Sequence, residues 1–299
     1  MESGPLRAAT RGSALALAQT RGVAALLHRP VELVVVETVG DRNQDVPIWD
    51  IGGRGVFVKE VQAAVLDGRA DFAVHSAKDL PAITPDGLVL AAVPEREDPR
   101  DALVGCTLAA LAVGGRVATG SVRRRAQLAS LRPDLTFSGL RGNIETRLGK
   151  AAGFDAIVVA AAALVRLGRP ERADLLDPSL MLPQVGQGAL ALEAREADTA
   201  VLSALAGLEH RPTRLAVDAE RAYLRELGGG CDLPVAAHAT VGPDEAITLT
   251  AMLATLDGHI VLQASDTGQD PDALGRALAR RLIDRSGGAW LLESLRGLA

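Results

Sequence analysis

The stretch RVATGSVRRRAQLASL, Arg116–Leu131, indicates how this chain folds, because it passes directly from a strand into a helix. Arg116–Thr119 has the β-branched composition of a strand, Gly120 stands at the junction, and Ser121–Leu131 is helical in pattern. The first turn of such a helix presents backbone N–H groups that attract anions, and Arg123–Arg125 adds guanidinium groups there. The stretch predicts a cradle for a carboxylate or a phosphate, although three consecutive arginines are also typical of an exposed helix face.

The same alternation of strand and helix continues along most of the chain. It is typical of βαβ units, which build mostly parallel sheets covered by helices and bind ligands at the carboxyl ends of the strands. The sequence therefore predicts an α/β protein whose site lies in the loops that follow strands. The other strand-like segments are Val31–Val39, Phe72–His75, Leu88–Val93 and Ala156–Val159, and the other helical segments are Ser13–His28, Val56–Leu66 and Asn143–Lys150.

Two breaks divide this pattern. The segment PEREDP, Pro94–Pro99, is charged and carries two prolines, so it predicts a linker or hinge between two α/β units. A second break falls near His210–Thr213. The 299 residues therefore divide into more than one domain, as a chain of this length usually does.

The part beyond the second break has a different character. A helix is predicted over Thr213–Leu227, followed by two antiparallel strands, Thr248–Thr255 and His259–Ser265. The Asp257-Gly258 step between these strands is a favoured hairpin turn. We expect a small α/β (α+β) domain here.

Composition excludes several classes of protein. The net charge of -5 gives no electrostatic reason to expect nucleic-acid binding, and no apolar run approaches the roughly 20 residues of a membrane-spanning helix. Arg7, Arg11 and Arg21 interrupt the apolar stretch near the N-terminus before it reaches the length of a signal-peptide core. We therefore expect a cytoplasmic protein without nucleic-acid or membrane partners. Nothing in the sequence indicates an obligate oligomer, so a monomer is expected.

The segment HSAKDLP, His75–Pro81, follows a strand directly and places polar groups at its carboxyl end. Lys78 suits the binding of an anion, and Asp79 suits the stabilisation of a developing cation. Lys78 is also one of only three lysines, with Lys59 and Lys150, among 32 basic residues. The alternative interpretation is a solvated ion pair in a loop.

A second strand-to-helix junction carries Arg141-Gly142-Asn143, with Arg147 on the same helical face as Asn143. Two such junctions favour a small molecule with several carboxylates over a weak nucleic-acid patch. Planar guanidinium groups bind carboxylates through paired hydrogen bonds.

The two cysteines, Cys106 and Cys231, are interpreted separately. Cys231 follows three glycines on a predicted loop, where its thiol suits a nucleophile or an attachment point. Cys106 lies among apolar residues and is expected to pack. His238 is near Cys231 in the sequence, which leaves a Cys/His hydrolase open. Two cysteines are too few for a zinc site made of thiolates alone, and the histidines do not have the spacing of metal ligands. The sequence therefore predicts no metal site.

Eight segments, in this order, resemble the porphobilinogen deaminase family, and together they span nearly the whole chain. They are RGSALA (Arg11–Ala16), GGRGVFVKE (Gly52–Glu60), HSAKDLP (His75–Pro81), REDPRDALV (Arg96–Val104), TGSVRRR (Thr119–Arg125), LRGNIETR (Leu140–Arg147), LPQVGQGALALE (Leu182–Glu193) and GGGCDLP (Gly228–Pro234).

The resemblance implies an enzyme of tetrapyrrole biosynthesis that joins four porphobilinogen molecules head to tail into hydroxymethylbilane, with loss of ammonia at each step. It implies a dipyrromethane cofactor held by a thioether to Cys231, and a catalytic role for Asp79. The implied carboxylate-binding residues are Arg11, Ser13, Lys59, Ser76, Lys78, Thr119, Ser121, Arg123, Arg124, Arg141, Arg147 and Gln187. The sequence departs from the family pattern at Arg54, where lysine is usual, at Ala77 and at Asp232.

The family fold implies two lobes like the halves of a type II periplasmic binding protein, plus a small C-terminal α/β domain. The expected boundaries are 1–94 with 188–207 for the first lobe, 99–183 for the second, and 211–299 for the C-terminal domain. A solute-binding or ligand-sensing domain shares the two-lobed fold. Against it stand the missing signal peptide and helix-turn-helix, and the position of Cys231 beyond both lobes.

Overall fold

The computed structural model describes residues 4–42, 57–169, 172–228 and 233–296. The strands are β1 (Leu6–Arg11), β2 (Val31–Val36), β3 (Phe72–Ser76), β4 (Leu88–Ala92), β5 (Asp101–Val104), β6 (Arg116–Ala118), β7 (Thr136–Ser138), β8 (Ala156–Ala160), β9 (Ala173–Leu176), β10 (Leu190–Arg195), β11 (Val235–Val241), β12 (Ile247–Ala254) and β13 (Val261–Gly268). The α-helices are α1 (Ala14–Leu26), α2 (Val39–Arg42), α3 (Lys59–Leu66), α4 (Val122–Leu131), α5 (Ile144–Gly149), α6 (Ala161–Arg166), α7 (Thr199–Ala206), α8 (Arg211–Glu226), α9 (Pro271–Arg280) and α10 (Gly288–Arg296).

The first sheet has the strand order β2-β1-β3-β10-β4. Strand β1 is parallel to β2 and β3, whereas β10 is antiparallel to both β3 and β4. On one face Val23 of α1 packs against Phe72, and on the other Val61 and Val65 of α3 pack near Ala73. The sheet is thus covered by helices on both faces, as predicted.

The second sheet has the order β7-β6-β8-β5-β9. Strand β6 is parallel to β7 and β8, but β5 is antiparallel to β8 and β9. The expectation of mostly parallel sheets thus holds for three neighbouring strands of each sheet. It is wrong for β5 and β10, because each enters its sheet from a segment that crosses from the other lobe and not through a right-handed βαβ connection.

The two crossing segments lie side by side. The Arg96 Nε–H donates to the Gln187 carbonyl at 2.7 Å, and the Glu97 N–H donates to the Gly188 carbonyl at 3.2 Å. The Arg96 guanidinium also donates to the fully buried Glu220 of α8 at 2.6 Å. Burial alone would raise the pKa of Glu220, but Arg96 and then His238 lower it to about 2. The crossings are therefore fixed to the C-terminal part of the chain by a buried ion pair.

The C-terminal part forms a separate antiparallel sheet, β11-β12-β13, packed on α8 and α9. Tyr223 of α8 is fully buried in its core and donates a hydrogen bond to the Met252 carbonyl at 2.9 Å. The predicted hairpin turn is confirmed, since Gly258 has a φ of 74° between β12 and β13. Together the three sheets confirm the predicted α/β class with its small additional C-terminal domain.

The predicted strands and helices coincide with observed elements to within a few residues. The elements that the sequence did not predict include strands β5, β9, β10 and β11 and helix α6. No helix in the described ranges is both long enough and apolar enough to cross a membrane.

Candidate active site

The predicted site residues gather where strands of the two lobes end. One cavity is lined by Arg11, Gln19, Phe57, Ser76 and Asp79, together with neighbouring residues of the first lobe. An adjacent cavity is lined by residues of both lobes, including Ser76 and Lys78. The carboxyl ends of β1 and β3 therefore open into a cleft, as the sequence predicted.

On the first-lobe side, local contacts orient most of the predicted residues. The Arg11 guanidinium lies 4.2 Å from the centre of the Phe57 ring, which is a cation–π contact. The Ser76 Oγ accepts a hydrogen bond from Gln19 at 2.9 Å, and Ser13 caps the N-terminus of α1. Lys59, at the start of α3, is exposed.

Asp79 belongs to a single 3-10 turn, Ala77–Asp79, that follows β3 immediately. The Leu80 N–H closes this turn on the Ala77 carbonyl at 3.3 Å, and Pro81 lacks the N–H that a longer helix needs. Buried Ala77 and Leu80 anchor the turn, whereas Asp79 is partly exposed and faces the first cavity. The sequence thus places a carboxylate on a short, well-anchored turn at the cleft.

On the second-lobe side, two predicted arginines hold a buried aspartate that sequence reasoning did not single out. The fully buried Asp101 accepts hydrogen bonds from Arg123 at 2.7 Å and from Arg124 at 2.9 Å. Burial alone would raise the pKa of Asp101, but these guanidiniums hold it well below its usual range. Arg123 and Arg124 are only 2% and 5% exposed, so this ion-pair cluster forms part of the protein interior.

The start of α4 forms as the strand-to-helix pattern predicts. Thr119 is buried, and its Oγ1 accepts a hydrogen bond from the Ser121 N–H at 3.2 Å. Ser121 caps α4 by accepting from the Arg124 N–H at 3.4 Å. Both hydroxyls are thus engaged at the helix N-terminus.

Gln187 connects the two lobes. Its side-chain amide donates to the Pro99 carbonyl at 2.8 Å and to Asp101 at 2.9 Å. Its side-chain oxygen lies within hydrogen-bonding distance of Lys78 Nζ, at 3.4 Å, and of Arg124 Nη2, at 3.5 Å. Gln187 thereby joins the Lys78 side of the cleft to the Asp101 cluster.

The cleft concentrates positive charge. The pKa of Lys78 is lowered to about 8, chiefly because its amine is removed from water and also because of the charge of Arg124. The pKa of Arg147 is lowered to about 10 by burial and then by Arg124 and Arg141, while Asp79 acts in the opposite direction. Groups whose charge is disfavoured in this way gain most from an anionic ligand.

Arg166, at the end of α6, is a cleft residue that sequence reasoning missed. It lines the second cavity, and it donates to the Gly188 carbonyl at 2.7 Å. Burial lowers its pKa. Its isolated position at the end of an alanine-rich segment gave no motif, and only the packing of α6 beside the crossing segment brings it to the cleft.

Three residues singled out from the sequence, Arg54, Cys231 and Asp232, lie outside the described residues. Cys106 is partly buried against the core of the second lobe, in agreement with its expected packing role. His238 lies on β11, with Nδ1 at 3.6 Å from Glu220. Within the described residues, no group of three or more histidine, cysteine, aspartate or glutamate side chains could hold a metal ion.

The fold and these charges define a two-lobed α/β protein with a cleft suited to an anionic small molecule. A family model described as "Porphobilinogen deaminase, dipyromethane cofactor binding domain" matches residues 6–203, and the family's C-terminal domain matches residues 214–284. The chain belongs to the porphobilinogen deaminase family, and residues 6–203 are its dipyrromethane-binding domain.

Relatives with the name porphobilinogen deaminase match nearly the full length. The one from Brevibacillus brevis is 46% identical over 98% of each chain, and the one from Syntrophus aciditrophicus is 48% identical over 97% of this chain and 98% of its own. Among solved structures, an ancestral cationic amino acid solute binding protein is 15% identical, with a TM-score of 0.40 over 69% of this chain and 88% of its own. The last likeness is too weak to carry an argument.

Proposed function

We propose that the cleft carries out the family's reaction, the head-to-tail joining of four porphobilinogen molecules into hydroxymethylbilane, with Asp79 as the catalytic carboxylate. The observation that carries this proposal is the position of Asp79 beside a surplus of buried or partly buried cations. Lys78 is its neighbour in the sequence, on the first lobe. Arg147, on the second lobe, lies close enough for the charge of Asp79 to act on its pKa.

Asp79 has a specific task in this reaction. Loss of ammonia from porphobilinogen leaves an electron-poor azafulvene with cationic character. A fixed carboxylate near the pyrrole N–H stabilises that charge more strongly in the transition state than in the substrate, and this difference is what accelerates a reaction. The anchored turn at Ala77–Asp79 keeps the carboxylate in place without a conformational search.

The cations bind and orient the carboxylates of the ligands. Each porphobilinogen carries an acetate and a propionate, so every addition brings two negative charges into the cleft. Burial and neighbouring cations lower the pKa values of Lys78 and Arg147, and a carboxylate bound beside them would restore their ordinary preference for the charged form. Arg141 contributes to the same field.

The residues present fit a dipyrromethane cofactor. Besides the cleft cations, Arg123 retains a buried Nε–H without a hydrogen-bond partner in the described part of the chain, so the arginine cluster still offers a donor. We propose a thioether attachment at Cys231. The bound group would supply the pyrrole on which the chain of porphobilinogen units is built.

The other proposed binding residues form two groups. Arg11, Ser13, Lys59 and Ser76 lie on the first-lobe side of the cleft, while Arg123, Arg124 and Gln187 surround Asp101. We propose that Thr119 and Ser121 shape the start of α4 and that the Asp101 cluster aims donors into the cleft. We also propose a monomeric protein that works in the cytoplasm, with porphobilinogen as its small-molecule partner.

The test is to supply porphobilinogen to the purified protein and to quantify substrate, ammonia and product together. We expect one ammonia for each porphobilinogen consumed and hydroxymethylbilane as the released product. Saturable binding of porphobilinogen without its consumption would contradict the proposal and favour a solute-binding domain. Loss of a thiol-dependent hydrolytic activity on alkylation of Cys231 would instead favour the Cys/His hydrolase.

A further inference from the structure

The hairpin turn of the C-terminal domain is pressed against a helix of the second lobe. Within the turn, Gly258 is buried although Asp257, His259 and Ile260 are exposed. A Cβ atom added at Gly258 would overlap the carbonyl oxygen of Ala126 and come within 3.0 Å of the Ser130 N–H nitrogen, both in α4. The turn therefore contacts the backbone of α4 at a distance that only glycine permits.

An apolar cluster extends this contact between the domains. Ala126 of α4 packs with Leu182 of the second crossing segment and with Ala236, Met252 and Ala254 of the C-terminal sheet. All five are buried. Helix α4 is thus held between its own lobe and the C-terminal domain, and the turn at Gly258 lies at the edge of that contact.

Side chains of helix α4 connect it to the cleft through hydrogen bonds. Its Arg123 and Gln127 donate to the Leu182 carbonyl at 2.7 and 3.0 Å, which fixes the crossing segment to the helix. Its Arg124 contacts Asp101 and lies 3.5 Å from Gln187, whose oxygen is also 3.4 Å from Lys78. A displacement of α4 would therefore move the polar groups that adjoin Lys78.

We propose that the Gly258 turn is a strut through which the C-terminal domain positions α4, and with it Arg124 and Gln187, for carboxylate binding in the cleft. Gly258 is then a positioning residue, because it acts on the ligand only through α4. The effect on substrate binding rests on the proposed function, whereas the contact with α4 does not.

The test compares two glycine-to-alanine substitutions in the cofactor-loaded enzyme. Gly258→Ala adds a methyl group against α4 at a φ of 74°. Gly114→Ala adds one at a φ of 78° in the second lobe, where nothing lies within 4 Å. The two share the backbone penalty of a left-handed alanine, so any difference between them reports the contact with α4.

Two readouts are needed, hydrogen exchange over 122–131 and steady-state kinetics with porphobilinogen. We expect Gly258→Ala to accelerate exchange in α4 and to raise KM about tenfold, with a smaller change in kcat, since misplaced binding groups weaken substrate capture. Gly114→Ala should leave both readouts at the parent values. A purely structural role would lower the amount of active enzyme and leave KM unchanged.

The proposal is overturned by unchanged α4 exchange in Gly258→Ala, by faster exchange with an unchanged KM, or by equal effects of the two substitutions. If Gly258→Ala does not fold, Asp257→Ala carries the same test, because Asp257 accepts hydrogen bonds from Thr255 and His259 and thereby shapes the turn. It should raise α4 exchange and KM in the same direction. An inactive parent protein would refute the proposed function separately, with the exchange difference still decisive for the strut.

Discussion

The cleft region holds two groups of buried or partly buried cations that differ in their surroundings. In the second lobe, Arg123 and Arg124 lie around a buried internal carboxylate, Asp101, which compensates their charge. Burial together with the charge of Arg124 lowers the pKa values of Lys78 and Arg147, whereas at Arg124 itself burial also lowers the pKa but Asp101 opposes the shift. An arginine paired with a buried aspartate is held in a fixed position by that pair, while a cation whose charge is disfavoured gains more from an anionic ligand.

The largest effect is expected at Asp79. Asp79→Asn keeps the shape of the side chain but removes the negative charge, so turnover of the cofactor-loaded enzyme should fall by about two to three orders of magnitude. The melting temperature should stay near that of the parent. Asp86→Asn, at an exposed acid in the loop before β4, is the matched control and should retain full turnover. Turnover near the parent value in Asp79→Asn would assign this aspartate to a loop ion pair.

Removal of the buried charge at Asp101 should lower the stability of the folded protein. Asp101→Asn leaves two buried guanidiniums without their carboxylate, and we expect a loss of about 3–5 kcal/mol in the free energy of unfolding. Asp134→Asn breaks the solvent-screened pair with Arg132 and should cost far less. Denaturant unfolding measures both. Equal losses would show that the Asp101 cluster is no more structural than a surface ion pair.

The smallest effect concerns the proton on Lys78. Between pH 8 and about 10.5, the folded protein releases this proton while the unfolded chain retains it, so this group makes stability rise with pH across that interval. Below pH 8 both states keep the proton, and the unfavourable contribution of charged Lys78 to the free energy of folding then has its full value. In a cofactor-free Cys231→Ser variant with 13C-labelled lysine side chains, one resonance should titrate near pH 8 and disappear in Lys78→Arg. Cofactor carboxylates should raise that midpoint, and an equal midpoint with and without cofactor would contradict carboxylate binding at Lys78.

The sequence predicted those parts of the molecule that depend on local pattern. Alternating strands and helices, the Asp257-Gly258 turn and the loop after β3 are each specified by neighbouring residues. Strand β10 pairs with β3 across more than a hundred intervening residues, and no local pattern predicts its antiparallel direction. That return to the first lobe was expected only from the family resemblance.

The sequence predicted which residue types form the site, but not which of them form hydrogen bonds and ion pairs with one another. Arg123–Arg125 at the start of α4 was identified as anion-binding, yet Arg123 and Arg124 donate hydrogen bonds to Asp101, on strand β5. An aspartate that begins the apolar segment Asp101–Val104 was the available signal, since a buried charge needs a partner. Gln187 gave no such signal, because its contacts form only when the crossing segment lies between the lobes.

The most direct measurement is the intact mass of the purified protein, followed by peptide mapping. A mass above that of the sequence by one dipyrromethane unit is predicted, with the adduct on the tryptic fragment that begins after Arg225 and contains Cys231. Cys231→Ser should lose the adduct and the activity, whereas Cys106→Ser should keep both. A fully active protein with both thiols free, or an adduct on the Cys106 fragment, would contradict the account.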